Sequence, residues 1–260
     1  MSTFFTLFWK ELRGYLISPF GWTVLFFVLL MQGWGLSATL KIFSDGPKPE
    51  SLLYFTFKAP NFWFYYLFIF PLITMRLFAE EEKTGTLETL MTVPVMSTHV
   101  VLAKYAAAFS FYLLLWIPVA SYPLIFDLAA QNVELTQGYK PPVLLAYQAS
   151  DWVGCFGIIT LMGLFFTAIG CLASSITSSQ IIAGIVSTLL LVLHFFVGLA
   201  PVIWGDFPAA GIFHYVSSTE HLNDFTRGII DSRIIVYYLS MTVFTLFLTR
   251  LILDLRRSNS

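Results

Sequence analysis

The stretch WVGCFGIITLMGLFFTAIGCLASSITSSQIIAGIVSTLLLVLHFFVGLAPVI, residues 152–203, contains two long apolar runs separated by a short polar link. Each run, 152–173 and 181–203, has the length of about 17 to 25 residues that an α-helix needs to cross a bilayer. Both are therefore predicted to be transmembrane helices. Their link, SSITSSQ, is short and uncharged, so the two helices should form a tight antiparallel pair.

The composition supports a membrane protein over the whole chain. Of 260 residues, 57% are hydrophobic and 11% are charged, with a mean hydropathy of +0.78. In soluble domains roughly a quarter of the residues are charged. The net charge of −1 leaves no basic stripe, which argues against nucleic-acid binding. Residues 1–260 are expected to form a single membrane domain.

Four further apolar runs are long enough to span a bilayer, which predicts an all-α, polytopic fold with six transmembrane helices. These runs are 20–40, 59–79, 105–126 and 234–253. The second and sixth spans require Arg76 and Arg250 to reach the interface with extended side chains, as arginines near helix ends commonly do.

An even number of spans places both termini on one side of the membrane. Lys10 and Arg13 precede the first span, and Arg256 and Arg257 follow the last. Basic residues concentrate in cytoplasmic segments, so both termini are predicted to be cytoplasmic.

The N-terminal segment 1–19 has the pattern of an amphipathic helix. Its apolar residues recur at helical spacing, whereas Lys10, Glu11 and Arg13 occupy the other side. The pattern predicts an interfacial helix that turns into the membrane at Ser18-Pro19, the alternative being an irregular start of the first span. It lacks the features of a signal peptide and is expected to remain on the mature protein.

The segment 204–233 is predicted to be external and to contain a short helix before the sixth span. The run from Ser217 to Glu220 has the Ser-x-x-Glu form of a capping box. Leu222, Phe225 and Ile229 should then share one face of the helix, which Gly228 and Asp231 bring to an end.

Several kinds of chemistry have little support in this sequence. The spans have no Asp, Glu or Lys away from their ends, which argues against a carrier coupled to protons or sodium. His194 is the one deeply placed ionisable residue, and bonding to a neighbouring helix is favoured over a relay role. Hydrolase motifs are absent, as is a phosphate loop, so any ATP site must belong to another protein. No cofactor is predicted.

Two side-chain groupings have alternative interpretations. His214, Glu220, His221 and Asp224 could be metal ligands, but the spacing is not a dedicated ligand pattern, so a solvated helix face is favoured and no metal is predicted. Span four carries the small-residue pairs Gly163/Thr167 and Gly170/Ser174. These pairs indicate close helix packing rather than a ligand site.

The polar passage RLFAEEEKTGTLETLMTVPV, residues 76–95, interrupts this apolar sequence. A helix leaving span two can continue through Glu80, Glu81, Glu82 and Lys83 to Gly85, a natural left-handed stop. A second helix can follow from Thr86 to Val93. In this helix Thr86 would be the cap and Glu88 would lie in the first turn. Pro94 would end it, and one face would carry Leu87, Leu90 and Met91. So short a helix needs something to pack against.

This passage, followed by Val101-Leu102-Ala103-Lys104-Tyr105, closely resembles the signature of ABC-2 type transporter permeases. The stretch 219–233 is similar to the segment before the last span in the subgroup with the gliding-motility and nitrous-oxide-reductase-maturation permeases. The resemblance covers essentially the whole chain. An interfacial elbow helix, six spans, a cytoplasmic coupling loop (80–104) and an external helix belong to that family's plan.

The resemblance implies that the chain is a permease subunit in the cytoplasmic (inner) membrane, without enzymatic activity of its own. It would pair with a second permease subunit, as a homodimer or heterodimer, and offer a coupling helix to a cytosolic ABC ATPase. The residues that it assigns to ATPase coupling are Glu80, Glu81, Glu82, Gly85, Thr86, Leu87, Glu88, Leu90, Met91 and Pro94. The third consecutive glutamate and Met91 depart slightly from the family pattern. The alternatives are a carrier or channel without an ATPase and a membrane-embedded enzyme with a site near His214 and His221.

Overall fold

A computed structural model describes residues 3–44, 51–85, 96–122, 125, 149–205 and 210–259. The regular structure of these residues is helical and includes no strand, which confirms the all-α prediction for the described part of the chain. In chain order the helices are α1 (Thr3–Ile17), α2 (Pro19–Ser44), α3 (Leu52–Lys58), α4 (Pro60–Thr74), α5 (Ala79–Lys83), α6 (Ser97–Leu114), α7 (Ile117–Ala120), α8 (Ala149–Ile176), α9 (Gln180–Trp204), α10 (Ala210–Val216), α11 (Ser218–Thr226) and α12 (Ser232–Asn259).

Four of these helices are long and apolar enough to cross a membrane. The spanning segments are Pro19–Phe43 in α2, Asp151–Ile176 in α8, Gln180–Ala200 in α9 and Ser232–Arg257 in α12. The second and third predicted spans fall on α4, with 15 residues, and α6, with 18 residues. Neither helix meets the length and hydropathy that the other four meet. The count of six spans therefore remains a prediction.

The two shorter helices end where the chain bends. The predicted span 105–126 is interrupted at Leu115 and Trp116, which form a turn before α7. Pro118 explains the interruption, because proline has no N–H for the helical bond and restricts the residue before it. Likewise the predicted span 59–79 is not one helix, since α4 ends at Thr74 and a turn of four residues follows.

Helix α8 is the centre of the described structure. It packs against α3, α4, α5, α6, α9, α11 and α12. In its spanning window 67% of the residues are buried, whereas the corresponding share is 22–33% in the other three spanning helices. The partner α9 follows after only residues 177–179 and packs against α8, as the short link predicted.

Aromatic side chains from α4, α6 and α8 fill the space around this central helix. The Tyr66 and Phe70 rings of α4 contact the Tyr112 ring of α6, with centroids 6.5 and 5.0 Å away. Both tyrosines are fully buried, so each hydroxyl needs a partner. The two hydroxyls lie 3.0 Å apart, and Tyr112 also donates to the carbonyl of Ile159 in α8 at 2.9 Å.

The N-terminal helix turns sharply into α2. Its Leu12 and Tyr15 are buried, and the Tyr15 hydroxyl donates to the carbonyl of Ile73 at 2.7 Å. At the turn, a Cβ on Gly21 would lie 1.9 Å from the Tyr15 carbonyl oxygen, so the approach of the two helices requires glycine. That α1 lies along the membrane surface stays a prediction.

One of the two hydrogen bonds of the predicted capping box is confirmed at the start of α11. The Ser217 hydroxyl accepts from the backbone N–H of Glu220 at 3.4 Å. Leu222 and Phe225 are buried against the bundle. The prediction that Ile229 shares their face was wrong. The helix ends at Thr226, Gly228 adopts φ +75°, and Ile229 lies beyond the end with 57% of its surface exposed.

Small residues on α8 allow neighbouring helices to approach closely, as their spacing predicted. A Cβ on Gly163 would lie 2.1 Å from the Tyr112 ring, and one on Gly170 would lie 2.0 Å from the Thr74 hydroxyl. Thr74 cannot easily give way, because it is β-branched and bonded to the Phe70 carbonyl at 2.7 Å. The packing of α4 and α6 on α8 therefore depends on these two glycines.

The first prediction concerns Gly170→Ala. Overpacking of this kind costs about 1–3 kcal/mol, so the Tm of the detergent-solubilised protein should fall by several degrees. The matched control is Gly157→Ala in the same helix, where an added Cβ has no neighbour within 4 Å. Because alanine favours a helix over glycine, the control should leave Tm unchanged or raise it. Equal Tm values for the two variants would contradict the proposed contact.

Candidate functional site

The acidic passage of the sequence lies at one end of the bundle, where α5 begins after a tight turn. The Ser174 hydroxyl of α8 accepts from the N–H groups of Phe78 and Ala79, at 3.1 and 3.2 Å, and donates to the carbonyl of Met75 at 3.3 Å. These bonds satisfy the backbone of the turn. They explain why the predicted continuous helix from span two into Glu80 was wrong: a break at residues 75–78 separates α4 from α5.

Helix α5 then ends as the sequence predicted. Thr84 bonds back to the carbonyl of Glu80, and Gly85 has φ +70°, which is a left-handed conformation that favours glycine. The remaining residues assigned to coupling, namely Thr86, Leu87, Glu88, Leu90, Met91 and Pro94, lie outside the described residues.

Glu80 pairs with a residue one turn earlier. Both oxygens of its carboxylate accept from the Arg76 guanidinium, at 2.8 and 2.9 Å. This hydrogen-bonded pairing holds the pKa of the Glu80 carboxyl below its usual range. The guanidinium carbon also lies 5.2 Å from the centre of the Phe20 ring, which connects α5 to the first turn of α2.

Glu81 meets a buried lysine. The Lys104 ammonium of α6 lies 3.0 Å from Glu81 and 2.9 Å from Glu11 of α1. Only 2% of the Lys104 side chain is exposed, compared with 15% and 18% for the two glutamates. The partly exposed Lys10 adds a longer contact of 3.6 Å to Glu81. Three separate helices thus meet around one ammonium group.

Glu82 pairs with the last part of the chain. Its carboxylate lies 2.5 Å from the Arg256 guanidinium of α12, which also donates to the Ile176 carbonyl at the end of α8, at 2.9 Å. Each of the three consecutive glutamates therefore has a different cationic partner. We call this group of side chains the ionic junction; its members are Glu11, Arg76, Glu80, Glu81, Glu82, Lys104 and Arg256.

Several members of this site were not predicted from the sequence to take part in it. Glu11 was placed only on the polar face of the N-terminal helix, Ser174 only in a small-residue pair, and Arg256 only among the basic residues after the last span. Lys104 entered only as part of a family signature. The sequence contained one indication of the site. Lys104 is a charged residue next to an apolar run, and such charges almost always have a partner of opposite charge. No comparable signal distinguishes Glu11 or Arg256 from other charged residues near the ends of helices.

The second grouping that the sequence singled out does not form a metal site. His214 bonds Glu220 at 2.5 Å, while His221 bonds the Tyr238 hydroxyl at 3.1 Å. Among the described residues, no three His, Cys, Asp or Glu side chains come together as a metal site would require. Asp224, the fourth candidate, has its pKa raised by burial.

His194 has a structural partner. Its Nε2 lies 3.0 Å from the Ser218 hydroxyl, which also accepts from the Tyr238 hydroxyl at 3.1 Å. With His221, these side chains form a chain of hydrogen bonds that holds α11 against α9 and α12. Burial lowers the pKa of His221 to about 4, so the neutral imidazole is the form present in the folded protein at neutral pH.

The second prediction concerns Lys104→Met. Removing the ammonium leaves Glu11 and Glu81 facing each other with little solvent, which costs about 3 kcal/mol and should lower Tm by roughly 5–10 °C. The control is Arg250→Met, which removes an i,i+4 pair whose side chains are 50% and 44% exposed. Such pairs contribute less than about 1 kcal/mol. A Tm loss in Lys104→Met no larger than in the control would contradict the buried pairing.

The third prediction concerns pH. Because the pKa of His221 is lower in the folded than in the unfolded protein, its stabilising contribution is complete above about pH 6.5 and is lost as the pH falls towards 4. The Tm of the protein should therefore fall between pH 7 and pH 5. The fall should be smaller in His221→Gln, which keeps a hydrogen-bonding side chain without titrating. Identical pH profiles for the two proteins would contradict a buried neutral His221.

Comparison with known proteins places the chain in a family. No curated protein matches the chain, and no solved structure matches it either. The family model described as ABC-2 family transporter protein matches residues 17–193, which is more than half of the sequence. This range includes α2, the acidic helix α5, Lys104 and the central helix α8. The chain therefore belongs to the ABC-2 family of transporter proteins.

Proposed function

We propose that the chain is the membrane-spanning permease subunit of an ABC transporter, and that it moves a substrate across the cytoplasmic membrane with energy from a separate ATPase. Membership of the ABC-2 family implies an ABC ATPase partner in general. The sequence has no phosphate loop of its own, which fits a division of labour between two proteins.

The observation that carries this proposal is the ionic junction. It joins α5 to α1, α6, α8 and α12, and α5 comes immediately before the proposed coupling segment 86–95. Glu81 and Glu82 are only a few residues away from that segment in sequence, so a displacement of the segment would be transmitted directly to them. Because Lys104 is buried and Ser174 holds the turn, α5 is well placed to pass movement to the helices around it rather than absorb it.

Six spans with both termini in the cytoplasm are part of the proposal. At 1.5 Å per residue, α4 and α6 are roughly 22 and 27 Å long, which approaches the hydrocarbon thickness of about 30 Å. The residues next to them, 75–79 and 115–120, extend both segments. The exposed apolar faces of α2, α9 and α12 fit contact with lipid and with a second permease subunit.

A carrier without an ATPase has weaker support. Such a carrier would need an ionisable group poised to bind an ion within the membrane. The candidate, His194, is bonded to Ser218 and shielded by the Phe165 and Phe166 rings, with centroids 5.4 and 5.5 Å away. This environment suits a histidine that connects helices.

The fourth prediction tests coupling. A tagged copy of the protein, purified from the cells in which it naturally occurs, should bring down an ABC ATPase and stimulate its ATP hydrolysis. The double variant Glu88→Lys with Leu90→Asp reverses a charge and places a carboxylate on the apolar face proposed to dock. It should lower the recovery of the ATPase by at least roughly tenfold, as expected when a buried apolar contact is replaced by a charge.

The matched control applies the same two changes to another loop. Glu134→Lys with Leu135→Asp lies in the segment that we place on the opposite side of the membrane, so the recovery should match that of the unaltered protein. Failure to recover any ATPase with the unaltered protein would overturn the proposal. Equal recovery with both double variants would overturn the assignment of the coupling segment.

A further inference from the structure

A deep groove lies at the other end of α4 from the ionic junction. It has a volume of about 670 Å³ and is bordered by α4, α9 and α11. Ligand pockets in proteins commonly measure about 300–1,000 Å³. The walls are formed mainly by apolar and aromatic side chains, among them Trp63, Phe64, Phe195 and Leu199. The groove is separate from every contact used in the proposed coupling mechanism.

Packing between aromatic side chains fixes part of the groove wall. Trp63 is buried, and its ring packs on Phe195 across the groove with centroids 5.1 Å apart. By contrast, Phe64 and Phe196 are 66% and 54% exposed. A fixed aromatic floor with exposed aromatic rims is suited to a flexible hydrocarbon chain, which gains dispersion contacts along its length.

One end of the groove is cationic. Lys58 forms part of the lining, and its ammonium lies 2.6 Å from the Tyr54 hydroxyl. The Arg227 guanidinium bonds the same hydroxyl at 3.1 Å. Both cations also lie against the Tyr54 ring, at 4.8 and 5.0 Å from its centre. Two positive groups thus share one tyrosine hydroxyl, and the hydrogen bond from Lys58 lowers the pKa of Tyr54.

Within the described part of the chain, neither cation has a carboxylate within 4.0 Å. Asp224, one turn before Arg227, is the carboxylate that acts on it electrostatically, but the two form no ion pair. Glu220 also lines the groove, yet its carboxylate is bonded to His214. Lys58 lines the groove, and Arg227 adjoins Lys58 through the shared Tyr54 hydroxyl. Two like charges held this close favour an anion beside them.

We infer that this groove binds an anionic phospholipid, with one acyl chain along α4 and α9 and the phosphate near Lys58 and Arg227. Charge complementarity selects this occupant over a zwitterionic lipid. A second copy of the chain fits less well, because a two-fold interface at this face would bring its own Lys58 and Arg227 to the same region. The inference does not depend on the ATPase or on the transported substrate.

The fifth prediction uses phospholipids with brominated acyl chains, which quench a nearby tryptophan. The purified protein in detergent is titrated with brominated phosphatidylglycerol or brominated phosphatidylcholine. Trp63→Phe identifies the part of the signal that comes from the groove, since the chain has seven tryptophans. The anionic lipid should quench the Trp63 signal at a roughly tenfold lower mole fraction than the zwitterionic lipid. Both headgroups carry the phosphate, but only the zwitterionic one brings a quaternary ammonium that Lys58 and Arg227 repel.

Substitutions in the protein distinguish the contribution of the lipid headgroup to binding from that of the acyl chain. Lys58→Gln with Arg227→Gln should remove the preference for phosphatidylglycerol and leave a weaker quenching that is equal for the two lipids. Leu199→Phe, which narrows the groove, should weaken quenching by both lipids. The control Arg233→Gln removes another exposed cation, which lies in α12 and does not belong to the pair of cations at Tyr54, and it should keep the preference. Lys58 and Arg227 are exposed, so the double variant should fold, and its Tm is measured to verify this.

Three results would overturn the inference. Equal quenching by the two lipids in the unaltered protein would make the groove a general lipid contact. A preference that survives in the double variant would place the anionic site elsewhere. Absence of any Trp63 quenching, together with disulfide formation between copies of a Phe196→Cys variant, would assign the groove to an interface between two chains.

Discussion

The Lys104 ammonium lies almost completely out of solvent, and it must therefore be paired. Its two carboxylate partners, Glu11 and Glu81, come from α1 and α5. A charge moved from water into a protein interior loses several kcal/mol of hydration, which only close opposite charges restore. The three charged groups must therefore stay close together, which fixes the positions of α1, α5 and α6 relative to one another. This contact fixes where α5 lies at this end of the bundle.

The close packing of α8 complements this electrostatic constraint. Gly163 and Gly170 let the Tyr112 ring and the Thr74 hydroxyl reach the α8 backbone, and Ser174, one turn further along, holds the turn at residues 75–78. Steric fit and hydrogen bonding thus place the start of α5 on the central helix. The ionic junction then ties the rest of α5 to its neighbours. In the proposed coupling mechanism, this continuous connection joins the coupling segment to the membrane helices.

The opposite end of the described structure is organised by neutral groups. His194, Ser218, Tyr238 and His221 bond one another and hold α11 against the bundle, while burial keeps His221 uncharged. Charged residues at this end lie further out. Lys58 and Arg227 meet at Tyr54 beside the apolar groove. The molecule therefore separates a buried ionic network, which suits transmission of force, from an exposed cationic site, which suits an anion at the membrane surface.

Much of this organisation follows from the sequence alone. Apolar runs specify membrane helices, Gly85 specifies a left-handed stop, and Ser217 with Glu220 specifies a cap, because each depends on residues within a few positions of one another. The Arg76–Glu80 pair is also local, since the two residues are four positions apart. Only the tertiary structure decided which cations Glu81 and Glu82 would meet. Glu11 and Lys104 are 93 residues apart in the chain, and Ser174 is 96 residues from Phe78. Contacts over such separations depend on how helices pack, and helical periodicity in the sequence carries no information about them.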